Sequence, residues 1–124
     1  MKKTILVDSS VIIDYLKTGK GLLPIAYENY NLAITASIVT EIFASKTLED
    51  NSLSSEVREF IEKYFIVLDI DQEIAEKAGE ILRRSNVTMA VALLAATAII
   101  KKYDILTSNQ RDFDGIQGVS FVNI

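Results

Sequence analysis

The chain has 124 residues, 49% of them hydrophobic, and a formal net charge of -4 at pH 7. This length suits one domain with a hydrophobic core and is too short for two, so we predict a single domain over residues 1–124. Because cysteine and histidine are absent, disulfides, thiolate or imidazole metal ligands and histidine acid–base chemistry are excluded. Carboxylates and hydroxyls remain, and these groups prefer hard cations such as Mg²⁺.

The acidic charge balance disfavours binding of nucleic acid through bulk electrostatics. Local basic patches remain possible at three pairs of residues: Lys2/Lys3, Arg83/Arg84 and Lys101/Lys102. The simplest interpretation of these pairs is a frayed terminus and solvated helix ends. The apolar run 87–100 is shorter than the roughly 20 residues of a membrane span, and no signal-peptide core follows the first lysines. We therefore expect a soluble, cytoplasmic protein without a membrane segment.

The first elements in chain order are a strand and two helices. Residues 3–8 form a short apolar run that predicts a buried strand. The helix after it is expected to have Ser9 or Ser10 as its N-cap. Pro24, the only proline, is expected to open a second, short helix.

The middle of the chain continues the alternation. Residues 31–35 predict a second strand, and Ser37 is the expected cap of the helix that follows. Residues 54–64 repeat apolar side chains at helical spacing, and 65–70 predict a third strand. The helix over 71–85 has acids in its first turn and arginines in its last, as the helix dipole prefers.

The last part of the chain begins with residues 88–102, which are apolar on every face and predict a central helix. Two more strands are predicted at 104–108 and 119–124. Strands that alternate with helices throughout are typical of a mostly parallel sheet covered on both faces. We therefore predict an α/β/α sandwich with three layers and five strands.

Ligand sites in such sheets lie beyond the carboxyl ends of the strands, where the strand order reverses. Asp8 ends the first predicted strand, and Thr107, Asn109 and Asp112 follow the fourth. A carboxylate at the end of a buried strand is costly unless a helix cap, a salt bridge or a cation compensates. Capping by Asp8 is one alternative. Because the neighbouring serines can cap without charge, a second role for Asp8 is favoured.

Glu41 is the other acid in an unusual setting. It lies in the apolar stretch ITASIVTEIFA, where only the small residues Ser37 and Ser45 share its helical face. An exposed glutamate on a half-buried helix is the alternative interpretation. The residues after the fourth strand have an alternative as well, because Asn and Asp commonly form turns.

Four segments together carry a family resemblance: ILVDSSVIIDYL, ITASIVTEIFA, ALLAATAII and ILTSNQRDF. In this order and spacing they resemble the PIN-domain ribonucleases, above all the VapC-type toxins of prokaryotic toxin–antitoxin pairs. The resemblance implies a parallel five-stranded α/β/α sandwich whose acids hold Mg²⁺ or Mn²⁺ and hydrolyse RNA. The matching positions are Asp8, Glu41 and Asp112 for the catalytic, metal-binding acids, and Ser10, Thr107 and Asn109 for the polar residues that support them.

One position departs from the family pattern. The family usually has an aspartate at the head of the ALLAATA helix, where this chain has Val91. The resemblance then implies an endoribonuclease with weakened activity. The alternative is a catalytically silent PIN-fold protein that binds RNA or an antitoxin-like partner. A phosphoacceptor receiver domain is disfavoured, because receivers carry two adjacent acids after the first strand and this chain has two serines there.

The resemblance also implies partners. A VapB-like antitoxin is expected, with a basic side chain that enters the acidic cleft, because a cluster of carboxylates attracts an arginine. A homodimer is expected as well, and the amphipathic helices within 54–84 offer a surface for it.

Overall fold

A computed structural model describes residues 1–46 and 52–124. The elements in chain order are β1 (Thr4–Val7), α1 (Ser9–Thr18), α2 (Leu22–Asn29), β2 (Asn31–Thr35), α3 (Ala36–Ala44), α4 (Ser52–Tyr64), β3 (Ile66–Leu68), α5 (Gln72–Arg84), α6 (Met89–Lys101), β4 (Asp104–Leu106) and a 3₁₀ helix (Gln110–Phe113). No helix within the two described ranges is long and apolar enough to cross a bilayer.

The sheet is parallel in every pairing and has the strand order β3-β2-β1-β4 over the described residues. In its centre, Leu6 of β1 pairs with Ala33 of β2 on one side and with Ile105 of β4 on the other. Successive side chains of a strand point to opposite faces. Because Ile5, Leu6 and Val7 are all fully buried, both faces of the sheet are covered. The predicted α/β class is therefore confirmed.

The fifth predicted strand is wrong in extent. Residues 119–124 contribute only an isolated bridge between Ile105 and Phe121, where the N–H of Ile105 donates to Ser120 at 2.8 Å and the N–H of Val122 donates to Ile105 at 2.9 Å. The partner strand β4 has only three residues, so it offers little backbone to pair with. The described sheet accordingly has four strands, although the last segment follows the expected parallel direction.

Two helix starts differ from the prediction. Asp8 is the N-cap of α1, which is the alternative interpretation of its carboxylate and not the cap expected at Ser9 or Ser10, and Thr35, rather than Ser37, is the N-cap of α3. The Thr35 hydroxyl accepts a hydrogen bond from the backbone N–H of Ile38 at 3.2 Å. In both places the helix begins within one residue of the strand end, so the residue at the junction itself becomes the cap.

Helix α2 begins at Leu22, so Pro24 lies in its first turn instead of opening it. This position tolerates proline because the N–H groups of the first turn have no partner within the helix. The expected cap of α5 is confirmed, since the Asp71 carboxylate accepts from the N–H of Ile74 at 2.9 Å.

Helix α6 is the central helix that its composition predicts. It packs against α3 and α5, and its small side chains Ala92, Ala95 and Ala96 are fully buried. Small side chains allow close approach of the neighbouring helices. The helix that carries Glu41 is therefore in contact with the helix that carries Val91.

Candidate active site

Two carboxylates lie at the carboxyl edge of the sheet. Asp8 directly follows β1, and Glu41 lies in the second turn of α3, which begins directly after β2. Because β1 and β2 are neighbouring parallel strands, the helices that follow them start at the same edge. Ser9 joins the two acids: its hydroxyl donates to Oε2 of Glu41 at 3.3 Å, and its backbone N–H donates to Oδ1 of Asp8 at 2.8 Å.

The second oxygen of Asp8 receives two hydroxyl contacts. Thr107, just after β4, donates to Oδ2 at 2.7 Å, and Ser10 lies at 3.5 Å from the same atom. Neutral groups therefore hold the Asp8 carboxylate from both sides. Within residues 1–46 and 52–124, neither Asp8 nor Glu41 forms an ion pair with a lysine or arginine.

The loop after β4 is tied to the start of α1 by backbone donors. The N–H of Asn109 donates to the Thr107 hydroxyl at 3.0 Å, and the N–H of Ser108 donates to the Ser10 hydroxyl at 3.3 Å. The Ser108–Ser10 contact and the Thr107–Asp8 contact join stretches about 100 residues apart in sequence, and the two backbone donors orient the hydroxyls of Thr107 and Ser10. Strand order reverses between β1 and β4, which is where ligand sites of such sheets lie.

The electrostatics of the pair follow from its burial. Desolvation of the half-buried Glu41 carboxyl raises its pKa, the negative charge of Asp8 raises it further, and the Ser9 hydrogen bond opposes both effects. Because neither acid is ion-paired within the described residues, a cation would stabilise their negative charge. All donor atoms here are oxygens, which suits a hard divalent cation.

The structure does not group Asp112 with these acids. Asp112 lies exposed in the 3₁₀ helix, where its backbone N–H donates to the carbonyl of Asn109 at 3.0 Å. In the part of the chain that the structure describes, no three acidic, histidine or cysteine side chains come close enough to hold a metal ion. Asp112 therefore remains a prediction as a ligand, and Asn109 takes part through its backbone.

Val91 lies in the first turn of α6 and packs, partly buried, against the core. Its backbone N–H donates to the hydroxyl of the N-cap Thr88 at 3.2 Å. The valine offers no oxygen to a ligand, as the sequence indicates.

Sequence reasoning missed Ser9 as part of the site. The signal is the doubled serine after Asp8, of which the sequence predicts a supporting role for Ser10 and only a capping role for Ser9. Ser9 is instead 8% exposed and contacts both acids. The contact of Ser9 with Glu41 depends on the pairing of β1 with β2, and this pairing cannot be predicted from the residues around Ser9 alone.

Comparison with known proteins gives matches over nearly the whole chain. A family model described as the PIN domain matches residues 5–119. Ribonuclease VapC1 of Methanocaldococcus jannaschii is 29% identical over 118 residues, which cover 91% of this chain and 81% of the relative.

Solved structures match as well. A toxin–antitoxin complex from Klebsiella pneumoniae includes a chain with a TM-score of 0.78 and 25% identity, and the match covers 97% of this chain and 99% of that one. DNA-bound VapBC from Salmonella typhimurium has a TM-score of 0.81 at 23% identity, with 98% of each chain covered, and supports the fold alone.

Proposed function

The chain belongs to the PIN-domain family, and we propose that it is a divalent-metal-dependent endoribonuclease of the VapC type with weakened activity. The observation that carries this proposal is the meeting of Asp8 and Glu41 at the reversal of strand order, joined through Ser9 and without a cationic partner in the described residues. The similarity to a ribonuclease of the same family supports RNA as the substrate.

The donor set fits Mg²⁺ or Mn²⁺. Mg²⁺ is often held by one or two carboxylates together with water and substrate phosphate, so Asp8 and Glu41 suffice as a minimal pair. Asp112, in the 3₁₀ helix after the Asn109 loop, is proposed as a further ligand on the family resemblance. A bound cation would act as a Lewis acid toward the scissile phosphodiester and stabilise charge on the leaving oxygen.

The hydroxyl groups of the site position the carboxylates of Asp8 and Glu41. Thr107 and Ser10 hold Oδ2 of Asp8, and Ser9 holds Oε2 of Glu41. Such fixed orientations avoid an entropic cost when a ligand binds, which is a general requirement of productive sites. Asn109 supports Thr107 through its backbone N–H.

Val91 is the reason to propose weakened activity. Cation affinity in oxygen sites depends on the number of charged ligands, and valine contributes none at the position where the family usually has an aspartate. The alternative function is a catalytically silent PIN-fold protein that binds RNA or an antitoxin-like partner. The exposed position of Asp112 also favours this alternative, because it leaves two acids in direct proximity.

An RNA-cleavage assay separates the two functions. Purified wild-type protein is incubated with single-stranded RNA and Mn²⁺, with EDTA as the metal-free control, next to Asp8→Asn and Glu41→Gln. Metal-dependent cleavage that both substitutions abolish would support the nuclease. Cleavage that survives in both variants would point to a contaminating nuclease, and no cleavage with intact RNA binding would establish the silent alternative.

A VapB-like antitoxin is the proposed partner, since the similar solved structures are toxin–antitoxin complexes. An aromatic groove between α1, α2 and α4 supports this proposal. It has a volume of about 430 Å³ and includes Tyr15, Leu23, Phe60 and Tyr64. Apolar side chains of a partner would fill the groove, while a basic side chain would reach the acids.

The partner and the assembly have separate tests. An arginine-containing peptide should weaken Mn²⁺ binding in calorimetry, and a lysine-free, arginine-free peptide of equal length should not. Light scattering tests the proposed homodimer through helices within 54–84. Cytoplasmic location is proposed on the family resemblance and is tested by cell fractionation.

A further inference from the structure

A second cluster of functional groups lies at the amino edge of the sheet, opposite the acids. A pocket of about 290 Å³ is formed where β2 and β3 begin. Its lining includes Lys2, Lys63, Tyr27, Tyr30 and Tyr64. We call it the lysine–tyrosine pocket.

The two lysines and two of the tyrosines form a connected chain of contacts. Nζ of Lys2 lies 5.6 Å from the ring centroid of Tyr27 and donates to the Tyr27 carbonyl at 3.2 Å. Nζ of Lys63 lies 5.3 Å from the ring centroid of Tyr64, and the two rings meet edge to face at 5.1 Å. The first lysines are therefore not a frayed terminus, which corrects the sequence interpretation.

Neither lysine of this pocket forms an ion pair within the described residues. Lys3 pairs with Asp104 at 2.7 Å, whereas Lys2 and Lys63 have no carboxylate partner in the described residues. The whole chain has a net charge of -4 and so repels a polyanion in bulk. An acidic protein that acts on RNA needs a local cationic contact, because neutralised phosphates supply much of the affinity for nucleic acids.

We propose that the lysine–tyrosine pocket binds one nucleotide of a single-stranded RNA, with its phosphate at the ammonium groups and its base against Tyr27. Tyr27 is 48% exposed, so part of its side chain is accessible to a base beside the Lys2 ammonium. Aromatic side chains next to cationic groups are the usual means of binding single strands without sequence preference. This inference rests on the proposed function for its choice of RNA as the ligand.

The pocket lies apart from the acids. Strand β1 spans the sheet between the two edges, and its four residues correspond to about 13 Å. The nucleotide in the pocket is therefore not the one at Asp8 and Glu41. The pocket anchors a longer RNA, and only RNA longer than a few nucleotides gains affinity from it.

The test measures binding without cleavage. A fluorescent oligouridylate of about 12 nucleotides, a length within the range of single-strand sites, is titrated with the protein in EDTA at several salt concentrations. Lys2→Ala and Lys63→Ala should each weaken binding and lower the salt slope by about 0.7, the value for one phosphate contact on a single strand. Tyr27→Leu should weaken binding at least about fivefold, because it removes stacking.

Lys101→Ala is the matched control, because it removes one exposed lysine outside the pocket. Unchanged affinity and salt slope in the Lys2 and Lys63 variants, or an equal loss in the control, would overturn the proposal. Uridine monophosphate that binds as tightly as the oligomer would overturn the assignment to RNA. Binding that depends on the lysines without any metal-dependent cleavage would support this pocket while the nuclease proposal fails.

Discussion

The hydroxyl of Thr107 donates to Oδ2 of Asp8 at 2.7 Å, across 99 residues of sequence. Thr107 directly follows β4 and is 7% exposed. Its hydroxyl oxygen also accepts a hydrogen bond from the N–H of Asn109. One side chain thus links two neighbouring strands of the sheet at the candidate site. Removal of the Thr107 hydroxyl should therefore lower the stability of the fold and weaken ligand binding at the candidate site.

Thr107→Val keeps the shape of the side chain and removes its hydroxyl. We expect the free energy of unfolding to fall by roughly 1.5–3 kcal/mol at neutral pH, as for hydrogen bonds to charged groups. Urea denaturation measures the change. Thr107→Ser, which retains the hydroxyl, is the control and should lose clearly less. A loss in Thr107→Ser with none in Thr107→Val would show that methyl packing, and not the Asp8 contact, stabilises this position.

Glu41→Gln should alter the pH dependence of stability in the metal-free protein. Burial, and then the charge of Asp8, raise the pKa of Glu41 above its ordinary value of 4.5, so the native state retains a proton that the unfolded chain has lost. The contribution of the protonated Glu41 carboxyl to the free energy of unfolding is fully present below pH 4.5. It is lost as the pH rises through the raised pKa of the native state. The variant lacks this loss, so it should become progressively more stable than wild type as pH rises.

Thermal unfolding in EDTA across this pH range checks the prediction. Glu28→Gln, at an exposed glutamate of α2, is the matched control. Mg²⁺ should stabilise wild type and have less effect on Glu41→Gln, because the cation competes with the proton for the same carboxylate. A stability difference that does not change with pH would contradict the assigned cause.

Val91→Asp should restore a charged ligand at the head of α6. The substituted side chain lies in the first turn of the helix, where the dipole favours an acid. We expect Mn²⁺ affinity to increase by roughly tenfold, because ligand charge count sets affinity in oxygen sites. Calorimetry measures this change, and the RNA-cleavage rate should increase with it. Val91→Asn is the control of equal size, and an equal gain in that variant would exclude a charge effect.

Lys102→Gly should stabilise the fold without affecting the site. Lys102 caps α6 in a left-handed conformation with φ 60°, and it is the only described residue other than glycine with positive φ. The side chain costs about 1 kcal/mol in this conformation, which glycine avoids. Urea denaturation should show an increase of about this size in the free energy of unfolding of Lys102→Gly. Lys102→Ala retains the Cβ atom and should show none, so a similar gain in both variants would mean that the lysine charge is responsible.

Much of the fold was predictable because its signals are local. The apolar run before Asp8 predicts β1, and the even apolar composition of 88–102 predicts the central helix. Asp71 was recognisable as a cap because capping acts over three residues. Each of these features depends on neighbours in sequence.

The features that were not predicted depend on distant partners. The segment 119–124 has strand composition, yet its pairing is limited by the length of β4. Ser9 and Glu41 meet because β1 and β2 are paired, although they are 32 residues apart. The exposed position of Asp112 follows from the turn of the 3₁₀ helix, which a family pattern does not determine.

The direct junctions between strands and helices have a consequence for selectivity. Asp8 is the sole residue between β1 and α1, and Thr35 passes into α3 without an intervening residue. Asp8 and the helix that carries Glu41 therefore follow their strands without a connecting loop, so the candidate site has little freedom to adapt its shape to different ligands. Under the proposed nuclease function, discrimination among RNAs should then depend on which of them can adopt an unpaired, bent conformation, so RNA secondary structure should affect cleavage more than base identity does.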